Sequence, residues 1–308
     1  AAAGDIVEVS SGTYAENLNI TKSVTLTGPN ANTNPNTGTR DAEAIVRCGG
    51  NGDAAITPRV DDITIEGFTF SSNGWINIIP ANISGLVVSR NIFSSGDALY
   101  TEGGLTNLAF TENRQVGGGT CVLCTNINGA AITDNYMGAM TRAINIGHDV
   151  VCKDVTIRGN TFDENSRYGI QMLAGIENVT IEDNDIINTT SRTGTNSFGI
   201  VVAGYDFVGP LSIRDNRISA ADISLYVAAG GAGIPGNQLT VTGNTFSSYA
   251  ARFIYFAGTG TLTALKSSNS YEGTGNDDVA IEAKVWHDVD QAGLGHVDWG
   301  QGAATSTN

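Results

Sequence analysis

VTIRGNTF, residues 155–162, is the stretch from which the fold is read, because its pattern returns on both sides of it. Downstream it becomes VTIEDNDI at 179, LSIRDNRI at 211 and LTVTGNTF at 239; upstream it is AAITDNYM at 130, LAFTENRQ at 108, LVVSRNIF at 86 and ITIEGFTF at 63. The most constant member is an asparagine, at Asn91, Asn113, Asn135, Asn160, Asn184, Asn216, Asn244 and Asn269, with Phe68 in the equivalent place of the first copy. Successive asparagines lie 22, 22, 25, 24, 32, 28 and 25 residues apart. A repeat of that length marks a solenoid whose units stack only on their neighbours.

Within each unit two apolar positions alternate with polar ones, as in Val155 and Ile157 or Val179 and Ile181, which is the period of a half-buried strand. The asparagine falls where the chain must bend, and an apolar residue returns inward two positions later (Phe93, Phe162, Ile186, Ile218, Phe246). Asparagine suits a bend because it tolerates left-handed backbone and its amide reaches neighbouring peptide groups. Stacked at the roughly 4.8 Å spacing of adjacent strands, such amides can also bond one another. A second strand follows each bend: WINI at 75, ALYT at 98, CVLC at 121, AINI at 143, GIQM at 169, GIVV at 199, SLYV at 224, FIYF at 253 and AIEA at 280.

This succession of strand, asparagine bend and small-residue strand resembles the repeat of the right-handed parallel β-helix proteins, the pectate-lyase-like solenoids of secreted and cell-surface proteins, over roughly residues 5–299. The resemblance implies an all-β, single-stranded right-handed parallel β-helix of about 10–12 rungs with an asparagine ladder and a C-terminal cap. Residues 1–269 are read as the helix, 270–299 as the capping segment and 300–308 as linker. The family includes lyases, hydrolases, epimerases, tailspikes, adhesins and surface-layer modules, so fold alone does not choose an activity. The opening, with Gly12, Tyr14, Glu16, Leu18 and Ile20, is also similar to the start of pectin methylesterases, but their downstream glutamine, aspartate pair and arginine are not found. A chain that opens on the Gly4-Asp5 turn leaves the first rung without a cap, so a longer polypeptide with flanking domains is expected.

Composition narrows the function classes. Sixteen basic against 31 acidic residues give a net charge of −15, which repels phosphate backbones and argues against nucleic acid while being compatible with calcium. The sequence has no apolar run long enough to span a membrane, and extracellular or cell-surface residence is expected. Cys121 and Cys124 lie on one strand, where alternation sends them to opposite faces; buried free thiols, a Cys124–Cys152 bridge and, less simply, a metal or redox pair remain as readings. The Asn- and Thr-rich segment 29–44 reads as a surface loop and a candidate contact. Arg158, Glu182 and Arg214 fall in one outward column of alternating charge.

The second-strand face offers a groove. Its outward column runs Asn77, Tyr100, Leu123, Asn145, Gln171, Val201, Tyr226, Tyr255 and Glu282, beside small residues (Ala98, Cys121, Ala143, Gly169, Gly199, Ser224, Ala280) that would leave room for a ligand. Longer inserts at 188–197, 203–210 and 228–237 would wall it. Tyrosines and amides supply stacking and neutral hydrogen bonds of the kind sugars use, so Asn145, Gln171, Tyr226 and Tyr255, with Tyr205 on the wall, are the candidate ligand-binding residues. An ordinary solvent-facing sheet is the alternative.

Glycoside hydrolysis needs two carboxylates, and this column carries only Glu282. A uronan lyase needs a base and a group that neutralises the uronate. Arg142, Arg167 and Tyr168, with His148 and Lys153 nearby, are the cluster that would serve, and the lyase reading requires the first three to lie within about 8 Å of one another. The tail, with His287, Asp288, Asp290 and His296, resembles the closing segment of bacterial surface β-helices, helical around 279–287; a metal there fits no established spacing. Two functions therefore stand: a non-catalytic rod that binds polysaccharide or copies of itself with no cofactor beyond calcium, or a pectate/alginate-type lyase.

Overall fold

A computed structural model describes residues 1–48, 54–72, 76–147, 152–165, 167–173, 175–189, 196–203, 207–220, 222–228, 238–247, 251–257, 261–272, 278–287, 296–297 and 299. The chain winds as a parallel solenoid, and every strand pairing among the described residues is parallel. Val155 pairs with Val179, Val179 with Leu211 and Leu211 with Leu239, so the sequence repeat and the strand register coincide. Each full turn has three strand columns, one more than the repeat suggests. The strand before the asparagine and the strand late in the turn belong to one 20-stranded sheet, while the two to five residues after the asparagine form a separate 11-stranded sheet. The middle strands are too short to show alternation in sequence, which is why only their single inward residue was visible.

The asparagines stack as expected. Asn91, Asn113, Asn135, Asn160, Asn184, Asn216 and Asn244 are all at most 2% exposed. Each Nδ2 donates to the Oδ1 of the next asparagine at 2.9–3.2 Å, and the same Oδ1 accepts the preceding asparagine's backbone N–H. The ladder begins where Phe68 donates its N–H to Asn91 Oδ1, and closes at Asn269, whose Nδ2 donates to the Val241 carbonyl. The left-handed backbone, however, is carried by the residue before each asparagine: Arg90, Glu112, Asp134, Gly159, Asp183, Asp215 and Gly243 have φ between 53° and 69°. Asparagine is thus selected here for its amide, which saturates the buried corner, and the strain of about 1–2 kcal/mol in a non-glycine left-handed residue falls on its neighbour.

Inside, alternation fills the tube with stacked apolar rows. Ile65, Val88, Phe110, Ile132, Ile157, Ile181, Ile213 and Val241 form one such row, all at most 2% exposed, and each contributes on the order of 1.5–3 kcal/mol by burial. Phe70 stacks on Phe93 at 5.0 Å between ring centres, and Phe93 on Phe110 at 6.0 Å. Cys121, Cys124 and Cys152 are each 1% exposed and belong to this core, and all four cysteines are free thiols. Cys121 and Cys124 therefore do not face opposite ways. The chain turns a corner at the start of the third column, so positions 121 and 122 both point inward and alternation restarts after them.

That corner corrects a second expectation. The small residues Ala98, Cys121, Ala143, Gly169, Gly199 and Ser224 are buried and lie inside the tube. A Cβ on Gly169 would come within 2.8 Å of Ile186 Cγ2, and one on Gly199 within 2.5 Å of Ile218 Cγ2. They are small because the middle sheet presses against them, and they leave no room for a ligand.

Segment 29–44 is a strap along the asparagine corner. Arg40 donates to the Arg90 carbonyl at 2.7 Å and to Glu43, Asn34 donates to Glu112, and Asn36 donates to the carbonyls of Asn113 and Asp134. It thereby ties the first turns to rungs 50 to 98 residues downstream. The charge column is real in register, with Arg158 opposite Glu182 and Glu182 in a salt bridge with Arg214. At the start of the chain, Ile6–Glu8, Gly12–Ala15 and Leu18–Ile20 pair along one edge each among the described residues. An apolar cavity of about 530 Å³, lined in part by Val7, Leu18, Ile20, Leu26 and Phe68, opens there. Toward the other end Asp278–Glu282 is a short helix, so AIEA at 280 is not a strand copy; Val285–His287 takes that place and pairs with Arg252–Ala257.

Candidate functional site

The outer surface of the third column carries two rows of side chains. Pairing places Asn145 beside Gln171, Gln171 beside Val201, Val201 beside Tyr226 and Tyr226 beside Tyr255. These alternate with the core residues Ile144 and Ile146, Ile170 and Met172, Ile200 and Val202, so they face outward. Three positions earlier on each strand, beyond the inward corner, a second row runs Asp97, Thr120, Arg142, Tyr168, Phe198 and Ile223. Asn77 and Glu282 leave the predicted column. Asn77 is fully buried and donates to the carbonyls of Ser95 and Asp97, while Glu282 lies in the short helix. Trp286 occupies by backbone register the place expected for Glu282.

The two rows meet through aromatic rings. Tyr168 stacks on Phe198 at 5.5 Å between centroids, Phe198 meets Tyr226 edge-on at 5.4 Å, and Tyr226 stacks on Tyr255 at 4.7 Å. Four rings thus cover consecutive turns, a length of about 14 Å at the strand spacing. Phe198 was missed in the sequence because GIVV was begun one residue late; Tyr168, two residues before Ile170 as Phe198 is before Ile200, was the available signal.

Beside the rings stand buried polar atoms with no hydrogen-bond partner among the described residues. Asn145 and Gln171 are each 7% exposed, and Asn145 Oδ1 and Gln171 Oε1 accept no hydrogen bond. Arg167 places its guanidinium carbon 4.8 Å from the Tyr168 ring centre and Arg142 places its own 5.9 Å from the same ring. The Nε of each arginine is buried and unpaired. Asp97, next in the row to Thr120 and three turns from Tyr168, accepts the Thr120 N–H at 2.7 Å. Burial pushes its carboxyl above the usual aspartate value, held back by the Thr120 and Gly119 N–H groups and by the Arg142 charge.

Of the sequence candidates, Arg142, Arg167 and Tyr168 come together, and Asn145, Gln171, Tyr226 and Tyr255 share one outer row. Lys153 sits in the first-strand column between Asn128 and Glu177, away from them. Tyr205, His148, Asp288 and Asp290 lie outside the described residues, as do the side chains of His287 and His296 and most of the three inserts read as walls. From the 203–210 insert, Phe207 packs against the core and bridges Ile176. Among the described residues no group of three His, Cys, Asp or Glu side chains is placed to hold a metal ion, and no helix is long and apolar enough to cross a membrane.

An asparagine-laddered parallel solenoid with an aromatic outer row defines the class of protein. Residues 55–209, just over half of the 308, match the family described as right handed beta helix region. The chain belongs to this right-handed parallel β-helix family. Residues 146–276 also match a family described as periplasmic copper-binding protein (NosD). Curated proteins give no match. Among solved structures, a rhamnogalacturonan lyase is similar at 11% identity and a TM-score of 0.34, covering 97% of this chain and 80% of that one.

Proposed function

We propose that this protein is a rigid extracellular or cell-surface rod that binds an extended polysaccharide along the outer face of the third strand column, without cleaving it. The observation that carries the reading is the contiguous ring run Tyr168, Phe198, Tyr226 and Tyr255 along the outer face of the column. Aromatic faces stack on the C–H faces of sugars. A solenoid repeats its surface at a fixed interval, which suits a polymer of repeating units. Flanking domains of a longer chain, or neighbouring copies, would set where the rod is displayed. The test is affinity for oligosaccharides of increasing length. Tyr226→Ala and Tyr255→Ala should each weaken binding about 5- to 150-fold, on the 1–3 kcal/mol scale of a lost stacking contact. Unchanged affinity in both would remove the reading.

The convergence of Arg142 and Arg167 on Tyr168 favours a second reading, β-elimination on a uronan, in which the arginines neutralise the carboxylate, a nearby base takes the α-proton, and the β C–O glycosidic bond breaks as the departing sugar oxygen takes up a proton. Incubation with pectate and alginate separates the two. Accumulation of unsaturated ends, followed by ultraviolet absorbance, would replace binding with catalysis.

A further inference from the structure

We propose that the asparagine corner, over the rungs of Gly159, Asp183, Asp215 and Gly243, is a docking rail for a loop of a partner protein that presents arginine and asparagine side chains. The chain's own strap already occupies the same corner on the rungs before it. The rail lies between the first and middle strand columns, away from the aromatic row, so the proposal does not rest on the glycan reading.

The strap shows what this corner recognises. Residues 30–41 form a closed loop, in which Asn30 Oδ1 accepts the Asp41 N–H at 2.7 Å and Asn30 Nδ2 donates to the Asp41 carbonyl at 3.2 Å. The loop is seated on Gly67, where a Cβ would come within 2.6 Å of Ala31 Cα. Arg40 Nη1 then donates to the Arg90 carbonyl at 2.7 Å, Asn34 Nδ2 to the Glu112 carboxylate at 3.3 Å and Asn36 Nδ2 to the Asp134 carbonyl at 3.4 Å. No other described group donates to the Arg90 or Asp134 carbonyl. The contact is therefore made by side-chain N–H donors that meet carbonyl and carboxylate oxygens turned out at the left-handed residue of each rung.

The strap stops at Asp134, but the corner continues. Gly159, Asp183, Asp215 and Gly243 have φ between 54° and 69°, against 53° to 58° at Arg90, Glu112 and Asp134. The same amide bonds of the asparagine ladder fix the residue that follows each of them. A solenoid repeats its surface from rung to rung, so the uncovered carbonyls are presented as the covered ones are. None of these four carbonyls accepts a hydrogen bond among the described residues, and neither does the carboxylate of Asp183 or Asp215. All are within reach of a partner: Asp183, Asp215 and Gly243 are exposed and Gly159 is half-buried. The rail is thus the direct continuation of an interface that the chain itself has filled.

The neighbouring charges narrow the occupant. Asp183 and Asp215 offer carboxylates in the part that Glu112 plays toward Asn34, while Glu182 is already paired with Arg214. Arg158 and Arg217 are exposed beside the rail and repel a run of lysines or arginines. Isolated arginine with neutral amide donors, the composition of the strap, avoids that repulsion and still meets the acids. The strap of a second copy is not available, because it lies on its own corner, so the occupant is a loop of another protein.

The experiment titrates the whole chain with a fluorescent, head-to-tail cyclised peptide of residues 30–41 that carries a benzophenone, cyclisation supplying the closure that Asn30 and Asp41 give in the chain. Anisotropy should saturate with a Kd of about 1 mM or tighter, the order of effective concentration that tethering gives the resident strap. Photo-cross-links should fall on residues 158–185, 214–217 or 242–245. Asp183→Asn with Asp215→Asn keeps residues that tolerate left-handed backbone and should weaken binding about 5- to 10-fold, circular dichroism melting verifying the fold. Arg40→Gln in the peptide should weaken it about 10-fold or more. The proposal is overturned by the absence of saturable binding, by cross-links elsewhere on the chain, including displacement of the strap from residues 67–134, or by an affinity that either set of substitutions leaves unchanged.

Discussion

Truncating one rung of the asparagine ladder should expose how much of the fold rests on it. Asn160 donates from Nδ2 to Asn184 Oδ1 at 3.0 Å and to the Ile132 carbonyl at 2.8 Å, while its Oδ1 accepts the Asn135 N–H at 3.0 Å and the Asn135 Nδ2 at 2.9 Å. In Asn160→Ala the Asn135 N–H loses its acceptor at a site only 1–2% exposed, where water does not substitute. One orphaned buried donor costs about 1–3 kcal/mol, and the two bonds lost to Ile132 and Asn184 add about 1 kcal/mol each. The total is about 3–5 kcal/mol. Asn269, at the end of the ladder, makes the same types of bond but is only part-buried, so water can re-pair its partners and Asn269→Ala should cost about 1–2 kcal/mol. Guanidinium unfolding followed by far-ultraviolet circular dichroism measures both. An Asn160→Ala midpoint indistinguishable from wild type, or equal losses at positions 160 and 269, would refute the view that buried amide pairing holds the corner.

Two further outcomes follow from the strap and the core. Burial raises the Glu43 carboxyl, but the Arg40 bonds and charge, with Thr69 and Asn30, outweigh it and hold the group below its ordinary value of 4.5. A depressed carboxyl contributes stability that is complete above its unfolded-state value and is lost as pH falls through the folded one. The difference in melting temperature between wild type and Glu43→Gln should therefore be largest above pH 4.5 and shrink toward acid; a difference that grows on acidification would reverse the sign of the argument. The thiols of Cys121, Cys124 and Cys152 are pushed upward chiefly by burial. Thiolate reagents should leave these three unmodified in the native protein and label only Cys48, with all four reacting in denaturant. Native labelling of any buried cysteine would show that the core opens.

By itself, the sequence determined the architecture. The recurrence of VTIRGNTF and its copies places each strand over the last, because a period-2 pattern with one buried face admits a single register. The asparagine column was equally legible, since an invariant polar residue at a bend inside an apolar repeat must be paired with its own copies. What only the tertiary structure decided was direction at the corners. Local alternation is broken where the chain turns into the third column, so Ala143 and Ile144 both point inward and Arg142 and Asn145 both point out. That break moved the small residues from the groove to the core, and gathered Asp97, Arg142, Tyr168 and Phe198 into a second outer row. The contacts made by the strap and the meeting of Arg142 with Arg167 over one ring likewise depend on winding successive turns together, since residues 25 or more positions apart in the chain become neighbours only when the rungs stack.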